Sequence, residues 1–320
     1  MLYVVCCILN NYIHILATIF LGGIMKIFLK KNKLLLICLL LLLSCVILSL
    51  VKYKIDFNHS IDEYNRVMEY LDKNSINSPI IPKKPIMYDT YSLFSYIIVD
   101  SPFAIIMYVM PFIIMLCGIY SFYSKIKTGY FKDECMRRNY KKNLIVNIFD
   151  SWKNAIIIPI FIIVLFAGCY ITTRSFDINK TIEFYDYSLI NRQYLDKLPT
   201  YFITYTINLI FLAIFYINIS IITAKKNSNL FVTLVQSYLI FIIVGIITEV
   251  VVGKGLEKIF PILKSYNLCN SLSIFNFWVY DNVMNLSFMT LFAFLLFFVS
   301  TLIVILKYRN KESVIIEIDK

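Results

Sequence analysis

Residues 34–51 read LLLICLLLLLSCVILSLV, an unbroken apolar run bounded by Lys33 and Lys52. A helix crosses the hydrocarbon core of a bilayer with about 20 such residues. Five further stretches share this character: Phe103–Ser124, Ala155–Thr173, Phe202–Thr223, Leu230–Val252 and Leu286–Leu306. Lys, Asp, Asn and Tyr collect between them. Of the 320 residues 59% are hydrophobic and only 16% charged, where a soluble chain carries about 25% charged residues, and the mean hydropathy is +0.74. The sequence therefore predicts an all-α polytopic membrane protein with six transmembrane helices.

Charge orients these spans. If the chain starts inside the cell at Met25 and crosses six times, one side receives Lys26, Lys30, Lys31 and Lys33 before the first span. The same side receives Lys125, Lys127, Lys132, Arg137, Arg138, Lys141, Lys142 and Lys153 between the second and third, Lys225 and Lys226 between the fourth and fifth, and Lys307, Arg309, Lys311 and Lys320 in the tail. The whole excess behind the net charge of +11 falls on that side. Because Lys and Arg are retained in cytoplasmic loops, both termini are expected in the cytoplasm. The positive charge then reflects topology and contact with anionic lipids, with no nucleic acid expected as a partner. Heavy use of Ile, Lys, Asn, Tyr and Phe fits an AT-rich bacterial genome, so the expected location is a bacterial cytoplasmic membrane.

Residues 1–24 admit three accounts. A seventh span would force Lys26–Lys33 into a tight turn between membrane helices, and a signal peptide would want a basic start and a small-residue cleavage site. The third account is a leader ahead of a true start at Met25. Gly22-Gly23-Ile24-Met25 can be encoded GGA GGA ATA ATG, a purine-rich ribosome-binding sequence before the start codon. The expected domain is 25–320, with 1–24 a mis-assigned leader.

No chemistry-bearing pattern accompanies the spans, and the chain is not expected to be an enzyme. Cys38, Cys45, Cys117 and Cys169 lie in apolar runs, where cysteine behaves as a small packing residue, and Cys269 is the one cysteine expected outside, so no external disulfide within one chain is expected. His14 and His59 lack ligand-spaced neighbours, so neither a metal nor another cofactor is expected. No HExxH, GxSxG or GxxxxGK[ST] occurs. If ATP drives this protein, another chain binds it. Glu249, near the outer end of the fifth span, is the one acid inside a span. It is either an intramembrane functional carboxylate or a solvated or paired one, for instance with Lys254.

The segment YSKIKTGYFKDECMRRNYKKNLIVNIFDSWKNA, residues 123–155, is the most specific loop. It breaks at Thr128-Gly129, beyond which Tyr140, Leu144, Ile148 and Trp152 share one helical face. Such a helix is expected to lie along the inner membrane surface, with Trp152 and Lys153 anchoring the entry to span three. Pro111 in span two and Pro159 in span three are kink candidates, each removing a backbone donor.

Six spans, an external segment after the first, a basic loop with Gly129 followed by Arg137 and Arg138, and an external segment before the sixth together resemble the ABC-2-type permeases, the membrane subunits of type V ABC exporters. The resemblance implies that loop 125–153 carries a coupling helix, with Gly129, Lys132, Arg137, Arg138, Lys141 and Lys142 contacting an ABC ATP-binding subunit. It implies a second permease copy, as a homodimer or heterodimer, and a short re-entrant external segment at 254–284. Residues 52–100 are expected to form a small external lobe, including an amphipathic helix in IDEYNRVMEYLDK. Spans lined by Ile, Leu, Phe and Tyr favour export of an amphipathic or lipid-like substrate. A scaffold or assembly protein without transport, and a secondary transporter, remain as alternatives.

Overall fold

A computed structural model describes residues 33–73, 83–99, 103–137, 139–179, 181, 197–225, 229–262, 272, 274 and 286–310. Residues 1–32, the rest of the segment before span six and the tail beyond residue 310 lie outside the described residues, so the leader at 1–24 and most of the re-entrant segment at 254–284 do too. The elements run α1 (Lys33–Lys73), α2 (Thr90–Val99), α3 (Phe103–Lys127), α4 (Tyr130–Arg137), α5 (Tyr140–Trp152), α6 (Ile157–Thr173), α7 (Leu198–Ala224), α8 (Leu230–Ile246), α9 (Lys254–Ile259) and α10 (Leu286–Lys307). Among the described residues six helices are long and apolar enough to cross a membrane, and the protein is a multi-pass, all-α membrane protein.

α7 is the most enclosed of the six spans. It packs against α10, α3, α8 and α6, while α1 lies on α6 and α3. Lipid tails are as apolar as Leu, so close backbone approach at small residues matters more here than the hydrophobic effect. Gly118 on α3 gives that approach to Ile217 of α7, and Gly168 on α6 gives it to Leu50 of α1.

α1 does not stop where its apolar run stops. It continues without a break from Val51 to Lys73, so its 41 residues reach about 60 Å at 1.5 Å per residue, twice the hydrocarbon thickness. Residues 52–100 thus divide into two unlike parts: this helical extension, which includes IDEYNRVMEYLDK, and α2. The second part is not a solvated lobe. Leu93, Phe94, Ile97 and Ile98 of α2 are buried against α6 and α3. Asp89 starts α2 by accepting from the backbone N–H groups of Tyr91 at 2.8 Å and Ser92 at 3.1 Å, as an N-cap residue does. Thr90 ties that start to the end of α6, where its N–H and its hydroxyl both donate to Ser175 O at 2.8 and 2.6 Å.

α6 closes on Arg174, the only non-glycine residue with positive φ among the described ones, at φ 52°, whose N–H donates to Tyr170 O at 2.7 Å. A left-handed L-residue costs about 1–2 kcal/mol, part of which glycine returns through its looser unfolded chain. Arg174 is exposed. Arg174→Gly is therefore expected to stabilise the protein by about 0.5–1 kcal/mol, read as a rise in the thermal midpoint of detergent-solubilised protein.

The helix expected to lie flat on the membrane surface takes a different course. α5 passes through a 3-10 turn, Lys153–Ile156, straight into α6, so that Tyr140–Thr173 forms one helical rod of 34 residues. The turn sits directly before Pro159, whose ring clashes with the carbonyl four residues back, Ala155. α5 buries Asn143, Asn147 and Ser151 together with Leu144 and Ile148 of the expected apolar stripe, and exposes Ile145, Val146 and Phe149. At Pro111 α3 stays α-helical.

Candidate functional site

The ends of α3, α7 and α10 meet at one end of the bundle. α7 and α10 are parallel neighbours, and each lysine beyond one C-terminus caps the other. Lys225 Nζ donates to Lys307 O at 3.0 Å and Lys307 Nζ to Ile222 O at 2.8 Å. Tyr308, fully buried, donates its hydroxyl to Ile221 O at 2.8 Å and accepts at its own carbonyl from Tyr140 of α5. Cations over orphan carbonyls complement the negative end of the helix dipole. The opposite end holds Tyr53, Tyr88, Asp89, Thr90 and Thr173, with Tyr88 N–H donating to Tyr53 Oη at 3.0 Å and the Thr90 and Thr173 hydroxyls 2.9 Å apart. The spatial grouping matches alternate crossings, with Lys125, Lys225 and Lys307 together at one end.

At that basic end the predicted break is real. Thr128 N–H donates to Ser124 O at 3.0 Å, closing α3, and Gly129 adopts φ +74° with nothing near enough to meet a Cβ. Glycine is there for its backbone freedom, not for space. The turn starts α4, which is pinned by Phe131, buried edge-on against Phe122 of α3 at 5.6 Å between ring centres. Phe122 in turn meets the Tyr308 ring at 5.7 Å.

A polar cluster fixes α4 to α5. Lys125 Nζ donates to Asn147 Oδ1 at 2.6 Å and lies 4.0 Å from Glu134 Oε2. Asn147 Nδ2 donates to Asn143 O at 2.9 Å and to Glu134 Oε2 at 3.4 Å. Both charges are mostly withdrawn from solvent, so losing one partner would leave the other uncompensated.

Of the residues assigned to this loop, Gly129 makes the turn, and Arg137, Lys141 and Lys142 are exposed beside Met136. Lys132 is half-buried on α4. Arg138 lies outside the described residues. Trp152 is no surface anchor: its Nε1 donates 2.8 Å to Asn218 Oδ1 inside the bundle, while Lys153 pairs with Asp150 at 2.6 Å. Glu249 is remote from this end in sequence and sits, half-buried, in a π-helical segment, Ile247–Gly253. Such a segment carries one extra residue per turn and often marks a functional site.

Residues that a search for ionisable groups passes over prove central. Asn218, fully buried on α7, donates from Nδ2 to Ser300 Oγ at 3.0 Å and Thr301 Oγ1 at 3.1 Å on α10. Asn208, also on α7, is buried with no partner for either side-chain atom among the described residues. Their signal in the sequence is a carboxamide in an apolar span. Thr204 and Phe211 of α7 and Leu286, Ser287, Thr290, Leu291 and Phe294 of α10 line a groove of about 560 Å³ at the other end of the same helix pair. Compared with known proteins, the chain matches no family model, no curated protein and no solved structure.

Proposed function

We propose that this protein is the permease subunit of an ATP-driven exporter of the ABC-2 type, which moves an amphipathic or lipid-like substrate across a bacterial cytoplasmic membrane. In this reading the basic end and both termini face the cytoplasm, two permease chains pair, and a separate ABC subunit binds and hydrolyses ATP below them. The observation that carries it is the short helix α4, which is set off by Gly129, locked to α3 and α5 through Phe131 and Glu134, and flanked by exposed Arg137, Lys141 and Lys142. A rigidly held basic hairpin at the end of a helical bundle can receive a push from a partner and pass it to the spans. Anionic headgroups would meet the same lysines at the membrane surface.

Arg137→Glu, Lys141→Glu and Lys142→Glu together replace attraction by repulsion, which costs an interface several kcal/mol. The expected result is a drop of about a hundredfold or more in ATPase-subunit affinity, with normal membrane insertion. Co-purification from mild-detergent membranes, with mass spectrometry and nucleotide hydrolysis assays, reads it. Absence of any nucleotide-binding chain after crosslinking would end the exporter reading in favour of a membrane scaffold, whose basic hairpin meets only anionic lipid.

A further inference from the structure

We infer that the groove between α7 and α10 is a binding site for an uncharged amphiphile whose hydroxyl or amide head pairs with Asn208. Parallel register connects the two. Asn218 meets Ser300 and Thr301, and Phe211 meets Phe294 edge-on at 5.8 Å and stacks on Phe297 at 5.4 Å. The same offset carried up α7 sets Asn208 opposite Thr290 and Leu291, and Thr204 opposite Ser287. Thr204, Asn208 and Phe211 fall within about 60° of one another on the helix. The groove residues therefore flank Asn208 on its own helix, while Asn208 itself is buried behind the groove wall in the seam and is reached only by a head that enters between the two helices.

Two carboxamides on one helix thus meet α10 in opposite states. Asn218 is fully paired, whereas Asn208 leaves a donor group and an acceptor unpaired in the interior, a cost that a ligand head entering the seam would remove. The chemistry of that head follows from the lining. Thr204 and Thr290 spend their hydroxyl protons on Thr200 O and Leu286 O, at 2.9 and 2.8 Å, so they offer lone pairs only. Asn208 adds one acceptor and two donors. A head that both donates and accepts is suited, and no charged side chain lines the groove to compensate an ionised one. Phe211, Leu286, Leu291 and Phe294 suit an acyl or aromatic body laid along the open groove. Such binding needs no ATPase, so it can fail while the exporter reading stands, and the converse.

The test uses the full chain in phosphatidylcholine nanodiscs, photolabelled with a diazirine-bearing monoacylglycerol and, separately, with the matching ionised fatty carboxylate. Label should map to residues 204–211 and 286–294, compete with unlabelled monoacylglycerol, and favour the neutral probe about tenfold. Asn208→Leu should abolish that preference and leave the thermal midpoint unchanged or raised. Leu291→Trp, which fills the groove from an exposed position, should suppress labelling without unfolding the protein. Label spread evenly over all lipid-facing helices would overturn the proposal. So would Asn208→Leu lowering the midpoint with labelling intact, because Asn208 would then serve a partner within the chain.

Discussion

Gly118→Ala is expected to destabilise the protein by about 3 kcal/mol, at the upper end for one added methyl in a packed core. A Cβ on Gly118 would lie 2.8 Å from Ile217 Cδ1 and 2.9 Å from Cγ2, with Cγ1 closer still. Three atoms of one β-branched side chain block the site, and a branched residue in a helix has essentially one χ1 rotamer to use. Ile217 is itself fully buried, so α3 and α7 must separate. Gly168→Ala is the control. There the new Cβ meets only the far end of Leu50, Cδ1 at 2.7 Å, and a Leu terminus can swing aside at a cost of about 1 kcal/mol. Thermal unfolding in detergent compares the two, and Ile217→Ala should cost less in the Gly118→Ala background than alone, because it removes the clash. Equal effects at the two glycines would refute the close α3–α7 crossing. Since α3 also carries α4, the exporter reading adds that the same substitution should weaken attachment of the proposed ATPase subunit.

How much of this was legible in sequence depends on which solvent a residue meets. Span existence follows from length and apolarity: Leu286–Leu306 against the helix Leu286–Lys307, and Phe202–Thr223 against Leu198–Ala224. Span ends are less legible. Hydropathy falls at Val51, yet nothing in Lys52–Lys73 breaks a helix, so α1 runs on. α2 is too short to register as a span and joins the bundle through tertiary contacts, among them those of Phe94 with Phe166 and Phe202, at 6.0 and 5.1 Å. The turn at Gly129 was readable because glycine and an adjacent basic stretch mark a helix end. The face of α5 was half legible: Leu144 and Ile148 of the stripe turn inward as read, but beside lipid Ile145, Val146 and Phe149 stay exposed while Asn143 and Asn147 also turn in. For the same reason apolar periodicity cannot say which polar residues in α7 meet partners, and Asn208 and Asn218 look alike in sequence.

They should differ in sign when each is made apolar. Asn218→Leu is expected to cost about 3–5 kcal/mol: three hydrogen bonds worth about 0.6 kcal/mol each inside a membrane, plus about 1–3 kcal/mol for stranding the Trp152 indole N–H. Adding Trp152→Phe should return the second part, because no donor is then left unpaired, and a double-mutant cycle on thermal midpoints isolates that coupling. Asn208→Leu, by contrast, removes no partner among the described residues. If both substitutions destabilised equally, the split between a structural and a ligand-facing asparagine would be lost. The Trp152–Asn218 contact also joins the rod Tyr140–Thr173 to the α7–α10 pair. The rod begins beside the exposed lysines of the basic end, and the helix pair opens into the groove. In the exporter reading this buried carboxamide is the contact proposed to couple those two places. If both proposals hold and groove labelling responds to an ATPase subunit at the basic hairpin, Asn218→Leu should reduce that response while leaving the labelling itself in place. A response that survived the substitution would send the coupling through the lysine caps between α7 and α10 instead.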